Sequence, residues 1–589
     1  MSRFILFCSV LFTSFFAACQ SSLHTIESVN RQSKLTYPTD YFSFPLNILP
    51  SLAADFGDLR INHYHMGLDI RTQQRENLAV VASADGYISH IRIEPYGYGR
   101  VIFVTHPNGY TTLYAHLNKF YPELEAFLHQ QQYATESWTQ DIDLSPAQFL
   151  VKKNQLIAWS GNTGGSEGPH LHFEIRDSGL ENGHNRNPLL FGLNIPDHVS
   201  PTLSRLAIFD RSQSIYESSS RVFPLQKKAT NGESFYTTAA VIKVPYGKFS
   251  LGLAMQDKVG NSFSLGIYKA DLYVDENLQN NFQMEECLYD DSRYINAGID
   301  YFTKYNGGAY MQLLSRLPGN KSSFYDSTVG DGILQLQDDS IHKVEVEVSD
   351  VAGNTTRLQF EMQRDKNISF VRNDMPGAIV EIIAPNKAFS FENESAEIEL
   401  DANAVYDTLL LRYDISPAPK DAVSDLHSIG DYRLPIHSAY DVRIKLTTPL
   451  TNSMKKKVVM MTQSGKSQDA QACNWQGDWA TASWRSFGKF YLKIDNIPPS
   501  IKPVNVHDQA VFVKDHKLVV DAKDESGDLQ SFNGYIDGHW VIFRQKENRY
   551  TYDFDEHCPP GEHTLTVKVA DLAGNETVYQ CNFVNGAKK

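Results

Sequence analysis

Two clusters of histidine and acidic residues, roughly a hundred positions apart, constrain this chain more than any other feature. The first contains His65 and Asp69, separated by three residues, and the second is the run His-Leu-His-Phe-Glu at positions 170–174. Successive side chains of a strand point to opposite faces, so the two histidines and the glutamate of this run share one face. The pattern predicts a strand whose polar, reactive face is backed by a hydrophobic core.

Another histidine, His116, ends an alternating segment between the two clusters. The segment runs from Tyr110 to Leu117 and follows the turn His-Pro-Asn-Gly at 106–109, which itself follows the β-rich run Val101–Val104. Two alternating runs joined by a short loop rich in turn residues are typical of a β-hairpin. We therefore expect a hairpin that presents His116 on its polar face.

Histidines and a carboxylate in these settings suit a catalytic zinc ion (Zn²⁺). Catalytic zinc takes three protein ligands of the His, Asp or Glu type and keeps one position for water, whose pKa falls to about 7. Two imidazoles and one carboxylate meet this requirement. The spacing alone leaves open whether His170 or His172 would bind the metal.

The same residues resemble the lysostaphin/LytM-type zinc endopeptidases. The pattern of that family is His-x3-Asp, then Tyr-Ala-His-Leu, then Gly-Pro-His-Leu-His-Phe-Glu, and this chain matches it from roughly Phe56 to Pro188. The resemblance implies an antiparallel β-sheet catalytic domain. It also implies endopeptidase activity on the peptide part of peptidoglycan.

The resemblance further implies a role for each residue of the pattern. His65, Asp69 and His172 correspond to the zinc ligands of the family. His116 and His170 correspond to an unligated pair that moves protons and polarises the scissile carbonyl.

Three nearby residues have alternative interpretations. Arg60 and Asn62 either contact the substrate or belong to a solvated turn. Glu174 either orients a ligand imidazole as a neighbouring carboxylate or points outward from its strand. The sequence does not decide between these alternatives.

An insertion separates His116 from the second cluster. The stretch of about 121–150 exceeds what a compact family member has there, and it begins like a helix, with Pro122 followed by early acids and spaced apolar residues. We expect either a wall or gate beside the substrate groove, or a surface excursion packed on the domain.

The N-terminus carries features of an export signal. Arg3 precedes an apolar run, Phe4–Ala18, that is too short to span a bilayer. The residues Phe-Ala-Ala-Cys at 16–19 resemble a bacterial lipobox, which implies a membrane attachment through a lipid on Cys19. We expect a periplasmic or outer-membrane-attached lipoprotein, with a secreted protein as the alternative.

Charge and cysteine content limit the remaining possibilities. A net charge of -15 over 589 residues argues against nucleic-acid binding, which needs clustered cations. After signal removal and lipidation four cysteines remain, which is no disulfide framework. Cys558 and Cys581 flank one terminal hairpin and form the only pair we would propose, the alternative being four buried thiols.

The long tail contains an internal repeat, Asp-x-x-Gly-Asn, at positions 257–261, 350–354 and 571–575. Each copy follows an alternating strand, and Asp with Gly-Asn supplies the bend that a hairpin needs. These are predicted to be structural turns, with calcium binding by the aspartates as the alternative. The tail resembles bacterial immunoglobulin-like domains.

Together these features predict a mainly β chain. The predicted ranges are a lipoprotein-type signal at 1–19, a tether at 20–36, a LytM-like peptidase domain at 37–195 and four immunoglobulin-like β-sandwiches at 196–275, 276–370, 371–495 and 496–589. We expect the tail to act mainly as a spacer, so that a chain ending near Ile195 keeps its metal. The alternatives to an exported endopeptidase are a non-catalytic regulator of other cell-wall hydrolases and a surface protein that binds through its tail.

Overall fold

The computed structural model of the chain describes residues 36–177, 183–230, 232–259, 265–326, 329–513 and 517–586. Thr39–Lys589 form one compact unit, to which all elements below belong. The predicted signal peptide and Cys19 lie outside the described residues. Within the described residues, no helix combines the length and the apolar composition needed to cross a membrane.

The chain is mostly β, with 47% of residues in strands and 7% in helices, which confirms the predicted fold class. The peptidase region ends with a short 3-10 turn at Pro188–Phe191. Its elements in chain order are β1 (Leu52–Ala54), β2 (Leu59–Arg60), β3 (His63–Tyr64), β4 (Leu68–Arg71), β5 (Ala79–Val81), β6 (Gly86–Ile93), β7 (Arg100–Thr105), β8 (Tyr110–Ala115), β9 (Lys119–Phe120), α1 (Pro122–Thr135), β10 (Gln140–Asp143), β11 (Leu150–Val151), β12 (Leu156–Trp159), β13 (His170–Asp177) and β14 (Asn185–Arg186).

One antiparallel sheet positions the histidine clusters. Its main strand order is β1-β4-β13-β8-β7-β6-β10, so β13 lies between β4 and β8. The side chains of Leu171, Phe173 and Ile175 are fully buried on one face of β13, as the alternation predicts. The predicted β7–β8 hairpin is confirmed, but β8 ends at Ala115 and His116 follows it with a left-handed φ of 57°.

The predicted helix in the insertion is also confirmed as α1. Pro122 occupies its first turn together with two acids, an arrangement that suits the positive end of a helix. Leu124 and Leu128 are buried, and the Glu125 carboxylate accepts from the buried Arg100 guanidinium of β7, 2.6 Å away. The helix is thus packed on the peptidase sheet rather than projecting from it.

The next part of the chain forms two sheets. The elements are β15 (Thr202–Asp210), β16 (Arg221–Pro224), β17 (Gln226–Thr230), β18 (Glu233–Thr237), β19 (Ile242–Val244), β20 (Phe249–Gln256), β21 (Lys269–Val274), β22 (Asn277–Gln283), β23 (Glu286–Cys287), α2 (Ile295–Gly298), α3 (Tyr301–Tyr305), β24 (Gln312–Leu313), β25 (His342–Ser349) and β26 (Thr355–Arg364). One sheet has the strand order β16-β15-β20-β24, and the other has the order β17-β18-β26-β25-β21-β22 with β19 on β26.

These sheets correct the domain boundary predicted between residues 275 and 276. Both predicted ranges, 196–275 and 276–370, contribute strands to both sheets, so they form one two-sheet unit. The boundary falls inside the two-residue turn of the β21–β22 hairpin, where Asp275 and Glu276 both have positive φ. Turns of this kind usually contain Gly or Asn, and their absence hid the hairpin in the sequence.

The last two predicted ranges each form their own pair of sheets. Residues 371–495 supply sheets of six and five strands, and residues 496–589 supply sheets of four and five strands. The elements are β27 (Ala378–Ile383), β28 (Phe389–Glu392), β29 (Ala396–Leu400), β30 (Leu409–Ser416), β31 (Leu426–Ile429), β32 (Tyr440–Lys445), α4 (Asn452–Lys455), β33 (Val458–Ser464), β34 (Ser467–Ala472), β35 (Asn474–Gln476), β36 (Trp479–Trp484), β37 (Gly488–Ile494), β38 (Ser500–Pro503), β39 (Ala510–Phe512), β40 (Lys517–Lys523), β41 (Leu529–Ile536), β42 (His539–Val541), β43 (Arg544–Lys546), β44 (Arg549–Asp553), β45 (Gly561–Asp571) and β46 (Glu576–Asn585).

The peptidase region shares a hydrophobic core with the first part of the tail. Phe56, Tyr64 and Met66 are buried in one cluster with apolar residues from 203–362, and the Tyr64 ring lies 5.1 Å from the ring of Phe324. In addition, β23 of the tail pairs with β14 and extends the peptidase sheet. The expectation that the tail is mainly a spacer is therefore corrected, because the two regions bury apolar surface against each other.

The cysteines of the described residues are free thiols. Cys287, Cys558 and Cys581 are buried and Cys473 is half-buried. On the β45–β46 hairpin, Cys581 lies opposite Leu565 and not opposite Cys558. The structure therefore contains no bridge between the two cysteines that the sequence suggested as a pair.

Candidate metal centre

Pairing between β4 and β13 brings the two clusters together. Asp69 on β4 lies directly opposite His172 on β13 in the antiparallel register. His65 lies three residues before β4 and is held by a hydrogen bond from its backbone N–H to Asp58 O. All three side chains are largely buried, so the strand pairing sets their positions.

Three atoms of these side chains form a tight triangle. His65 Nε2 lies 3.0 Å from Asp69 Oδ1 and 3.0 Å from His172 Nδ1, and His172 Nδ1 lies 2.9 Å from Asp69 Oδ1. The triangle contains the ring of His172, whereas His170 lies beside it.

The outer nitrogens of the two rings settle which atoms face the triangle. His65 Nδ1 lies 2.7 Å from the backbone oxygen of Asp55, and His172 Nε2 lies 2.8 Å from Glu174 Oε1. Both oxygens only accept, so these outer nitrogens carry the hydrogens. In neutral rings the inner nitrogens then carry lone pairs that face the Asp69 carboxylate. Three electron-pair donors without a hydrogen between them fit a divalent metal ion that binds imidazole.

Neighbouring charges keep two carboxylates ionised, that of Asp69 in the triangle and that of Glu174 beside it. Burial raises the pKa of Asp69, but the neighbouring histidines outweigh burial and hold it well below its usual range. Burial likewise opposes ionisation of Glu174, but Arg176, His172 and Tyr98 lower its pKa to about 2. The carboxylates in turn overcome burial at His172 and raise its pKa to about 9. Both carboxylates therefore stay ionised beside the two imidazole rings.

Glu174 is the centre of a buried hydrogen-bond network. Its side chain is completely buried, which decides the alternative that the sequence left open. Besides His172 Nε2, it accepts from Tyr98 Oη at 2.7 Å, Arg176 Nε at 2.7 Å and Asn185 Nδ2 at 2.6 Å. The network fixes the ring of His172. Sequence reasoning assigned no role to Tyr98 or Asn185, although Arg176 shares the polar face of β13.

We expect Glu174→Gln to weaken metal binding without abolishing it. A carboxylate that holds a ligand imidazole typically contributes ~10–100-fold in metal affinity, because it fixes the ring and makes it more basic. Titration against a competing chelator measures the change. The matched control is Glu167→Gln at a nearby exposed carboxylate, and equal affinities of the two variants would contradict the role of Glu174.

His116 and His170 lie beside the triangle. Their ring centroids are 4.6 Å apart, and His170 Nε2 lies 3.4 Å from Asp69 Oδ1. His116 Nδ1 donates to Thr163 O over 2.8 Å, and His170 Nδ1 donates to Gly168 O over 2.8 Å. In each neutral ring Nε2 therefore carries the lone pair and can accept a proton.

Electrostatics keeps His116 neutral. Burial, followed by the neighbouring His170 and His172, lowers the pKa of His116 to about 3. A neutral, partly enclosed imidazole next to a metal-binding triangle can take up a proton from a reacting group and return it.

The two suggested substrate contacts have different surroundings. Arg60 is partly exposed, and its Nη2 donates to Asp69 Oδ2 over 3.3 Å, so it borders the metal centre. Asn62 has a positive φ of 64° and its Oδ1 accepts from Asn296 Nδ2 of α2 over 3.2 Å. Of the pair, Arg60 is brought to the centre, whereas Asn62 contacts the tail.

Comparisons with known proteins agree with this geometry. Residues 63–133 match the model of Peptidase family M23, and residues 380–495 match that of a Zu5-like domain. The DD-carboxypeptidase/endopeptidase Mpg of Neisseria meningitidis serogroup B is 35% identical over 133 residues, which are 23% of this chain and 24% of the relative. Peptidoglycan DD-endopeptidase ShyB of Vibrio cholerae is 32% identical over 111 residues, 19% of this chain and 20% of the relative.

A solved structure is also similar to part of the chain. The catalytic domain of lysostaphin from Staphylococcus simulans is 24% identical and covers 23% of this chain and 88% of its own length, with a TM-score of 0.18. The chain spans about a quarter of the length of the curated relatives it matches. The third predicted module, 371–495, corresponds to the Zu5-like match.

The family match includes His65, Asp69 and His116, and it ends before β13, the strand that carries His172. The family resemblance inferred from the histidine clusters is confirmed by these matches. The chain therefore contains a domain of peptidase family M23.

Proposed function

We propose that this protein is a zinc-dependent endopeptidase that cleaves peptide bonds of peptidoglycan. The main support is the short distances among three atoms, His65 Nε2, Asp69 Oδ1 and His172 Nδ1. Two imidazoles and one carboxylate leave a fourth position for water on a tetrahedral zinc ion. The substrate class is supported by relatives whose names include DD-endopeptidase. Bound zinc would supply Lewis acidity to the scissile carbonyl and lower the pKa of the attacking water.

The residues beside the triangle would handle protons. His116 Nε2 accepts the proton of the attacking water, since its Nδ1–H is held by Thr163 O and its low pKa keeps the ring neutral. Once protonated, it can donate to the leaving amine. His170, held by Gly168 O, lies on the same side, and its Nε2, once protonated, donates to the scissile carbonyl. Arg60 neutralises the outer oxygen of Asp69 and borders the space for substrate.

We expect His116→Ala and His170→Ala to retain zinc but lose turnover. General acid–base help typically contributes ~10²–10⁴-fold to rate, and neither ring belongs to the ligand triangle. Hydrolysis of soluble muropeptides, followed by mass spectrometry, gives the rate, and elemental analysis gives the zinc content. His507→Ala, at an exposed histidine of the last module, is the control. Turnover near that of the control in both variants would contradict the assignment.

The general function is tested by digestion of purified peptidoglycan with zinc-loaded protein, zinc-stripped protein and stripped protein reloaded with zinc. New peptide ends that appear with the first and third samples alone support the proposal. If none of the three samples releases new peptide ends, a non-catalytic regulator is favoured. We also propose export with a lipid on Cys19, which membrane fractionation of a Cys19→Ser variant tests.

A further inference from the structure

Three acids, of which Asp257 and Asp350 are buried and Asp197 is half-buried, meet where the chain leaves the peptidase region, and we call this cluster site A. Asp197 follows the peptidase region, Asp257 directly follows β20, and Asp350 directly follows β25. One carboxylate oxygen from each lies within 4.8 Å of the others. The three residues line a cavity of about 110 Å³, which also borders Asp55 of the peptidase region. This volume is sufficient for an ion with some of its water.

A second cluster, site B, has the same construction at the entry to the last module. Asp495 directly follows β37, Asp524 directly follows β40, and Asp571 ends β45. Again one carboxylate oxygen from each lies within 4.8 Å of the others. Each site therefore combines an acid of an entry segment, an acid that follows a strand, and the first residue of an Asp-x-x-Gly-Asn turn.

In site A the hydrogen bonds of the turn fix the entry segment. Asn354 donates through Nδ2 to Asp350 Oδ2 over 2.8 Å and to the backbone oxygen of Asp197 over 3.5 Å. The Asp197 carboxylate accepts from the backbone N–H of Val199 through Oδ1, over 3.0 Å.

Site B repeats these bonds with different neighbours in sequence. Asn575 donates through Nδ2 to Asp571 Oδ2 over 2.8 Å and to the backbone oxygen of Asp495 over 3.0 Å. The Asp495 carboxylate accepts from the backbone N–H of Ile497 through Oδ1, over 3.0 Å. The same arrangement is thus built twice in one chain.

Buried oxygens in both sites lack a partner. Asp257 Oδ1 in site A, and Asp495 Oδ2 and Asp524 Oδ1 in site B, are buried and make no hydrogen bond in the described structure. Asp257 is only 3% exposed and Asp495 only 1% exposed. A buried carboxylate oxygen without a donor is costly unless a cation or a proton reaches it.

Side-chain cations do not neutralise these clusters. Among the described residues, none of the six aspartates forms an ion pair with a Lys, Arg or His side chain. Beside site B, the ammonium of Lys457 donates to Gly574 O and Asn575 Oδ1. Burial and the neighbouring Asp197 and Asp350 accordingly raise the pKa of Asp257 to about 7.

We propose that sites A and B each bind one hard divalent cation, of which calcium fits best. The available ligands are all oxygens, which calcium prefers, whereas zinc prefers the imidazoles of the peptidase centre. Three carboxylates around one ion satisfy the partnerless oxygens and cancel the repulsion within each cluster. The ions join the entry segments, Asp197 and Asp495, to the sheet pairs that follow them.

The test is equilibrium dialysis of the full-length, zinc-loaded protein against radioactive calcium chloride, in buffers freed of other calcium. We expect two calcium ions per chain, with dissociation constants no weaker than the ~10⁻⁴–10⁻³ M of extracellular calcium modules. Asp257→Asn should bind one ion, Asp524→Asn should bind one, and the double variant none. Zinc content, measured on the same samples, should stay at one per chain in all of them.

The matched control is Glu556→Gln. Glu556 belongs to a third acidic group, with Asp555 and His557, that is more exposed and contains no partnerless buried oxygen among the described residues. This variant should bind two calcium ions. The highest calcium concentration is 10 mM, roughly tenfold above the weakest expected dissociation constant. If the wild-type protein binds no calcium at this concentration, the proposal is overturned and the acids share protons instead. Retention of two ions by the double variant would also overturn it.

Thermal unfolding separates loss of a site from loss of the fold. Without calcium, the two Asn variants should be at least as stable as the wild type, because each removes repulsion between buried carboxylates. With calcium, only proteins that keep a site should gain stability, since a ligand that binds the folded state alone raises the unfolding midpoint. An equal gain in the wild type and the double variant would contradict binding at these sites.

Discussion

Replacing His172 with alanine is expected to remove both bound zinc and hydrolytic activity. Its Nδ1 lies 3.0 Å from His65 Nε2 and 2.9 Å from Asp69 Oδ1, so the variant leaves two ligands where three converge. Lewis-acid catalysis by a metal supplies several kcal/mol of transition-state stabilisation, which corresponds to a loss of at least ~10³-fold in turnover. Elemental analysis and muropeptide hydrolysis measure the two effects on the same sample.

A second variant distinguishes loss of the metal ligand from misfolding of the protein. Asp69→Asn keeps the size of the side chain and its place on β4, opposite His172, but it weakens the charge that attracts the ion. We expect a folded protein by circular dichroism with strongly reduced zinc affinity. Stoichiometric zinc in His172→Ala protein would show that the triangle is not the metal site.

A chain that ends after Ile195 is expected to lose its folded metal centre. Phe56, Tyr64 and Met66 are at most 5% exposed because the tail covers them, and all three lie within nine residues of His65. Burial of one large apolar side chain is worth ~1.5–3 kcal/mol, so three approach the ~5–15 kcal/mol stability of a whole domain. The truncation also removes β23 from the edge of β14.

The control for this truncation is a chain that ends after Asn496. It lacks only the last module, which has its own hydrophobic cluster, so the core around Tyr64 remains complete. Thermal unfolding and zinc content should resemble those of the full chain. The expectation fails if the chain ending at Ile195 is as stable and as fully zinc-loaded as this control, in which case the tail is a spacer after all.

The sequence by itself determined the elements whose patterns are local. The alternation at 170–174 and the turn before Tyr110 predicted β13 and the β7–β8 hairpin, because a strand has a period of two and a short turn needs particular residues. Pro122 and the following acids predicted the start of α1 in the same way. The residue types of the metal centre were also evident, since metal chemistry restricts them to a few side chains.

Only the tertiary structure decided how distant segments meet. The choice of His172 over His170 within the triangle depends on the register of β4 against β13, which no local period encodes. The orientation of its ring depends on Glu174, whose burial comes from the surrounding strands. Likewise, no local pattern distinguishes Tyr64, and only the packing of the tail shows that it is buried in the core shared by the two regions. Long-range packing is set by the whole set of competing contacts, whereas sequence periodicity reports only the local part.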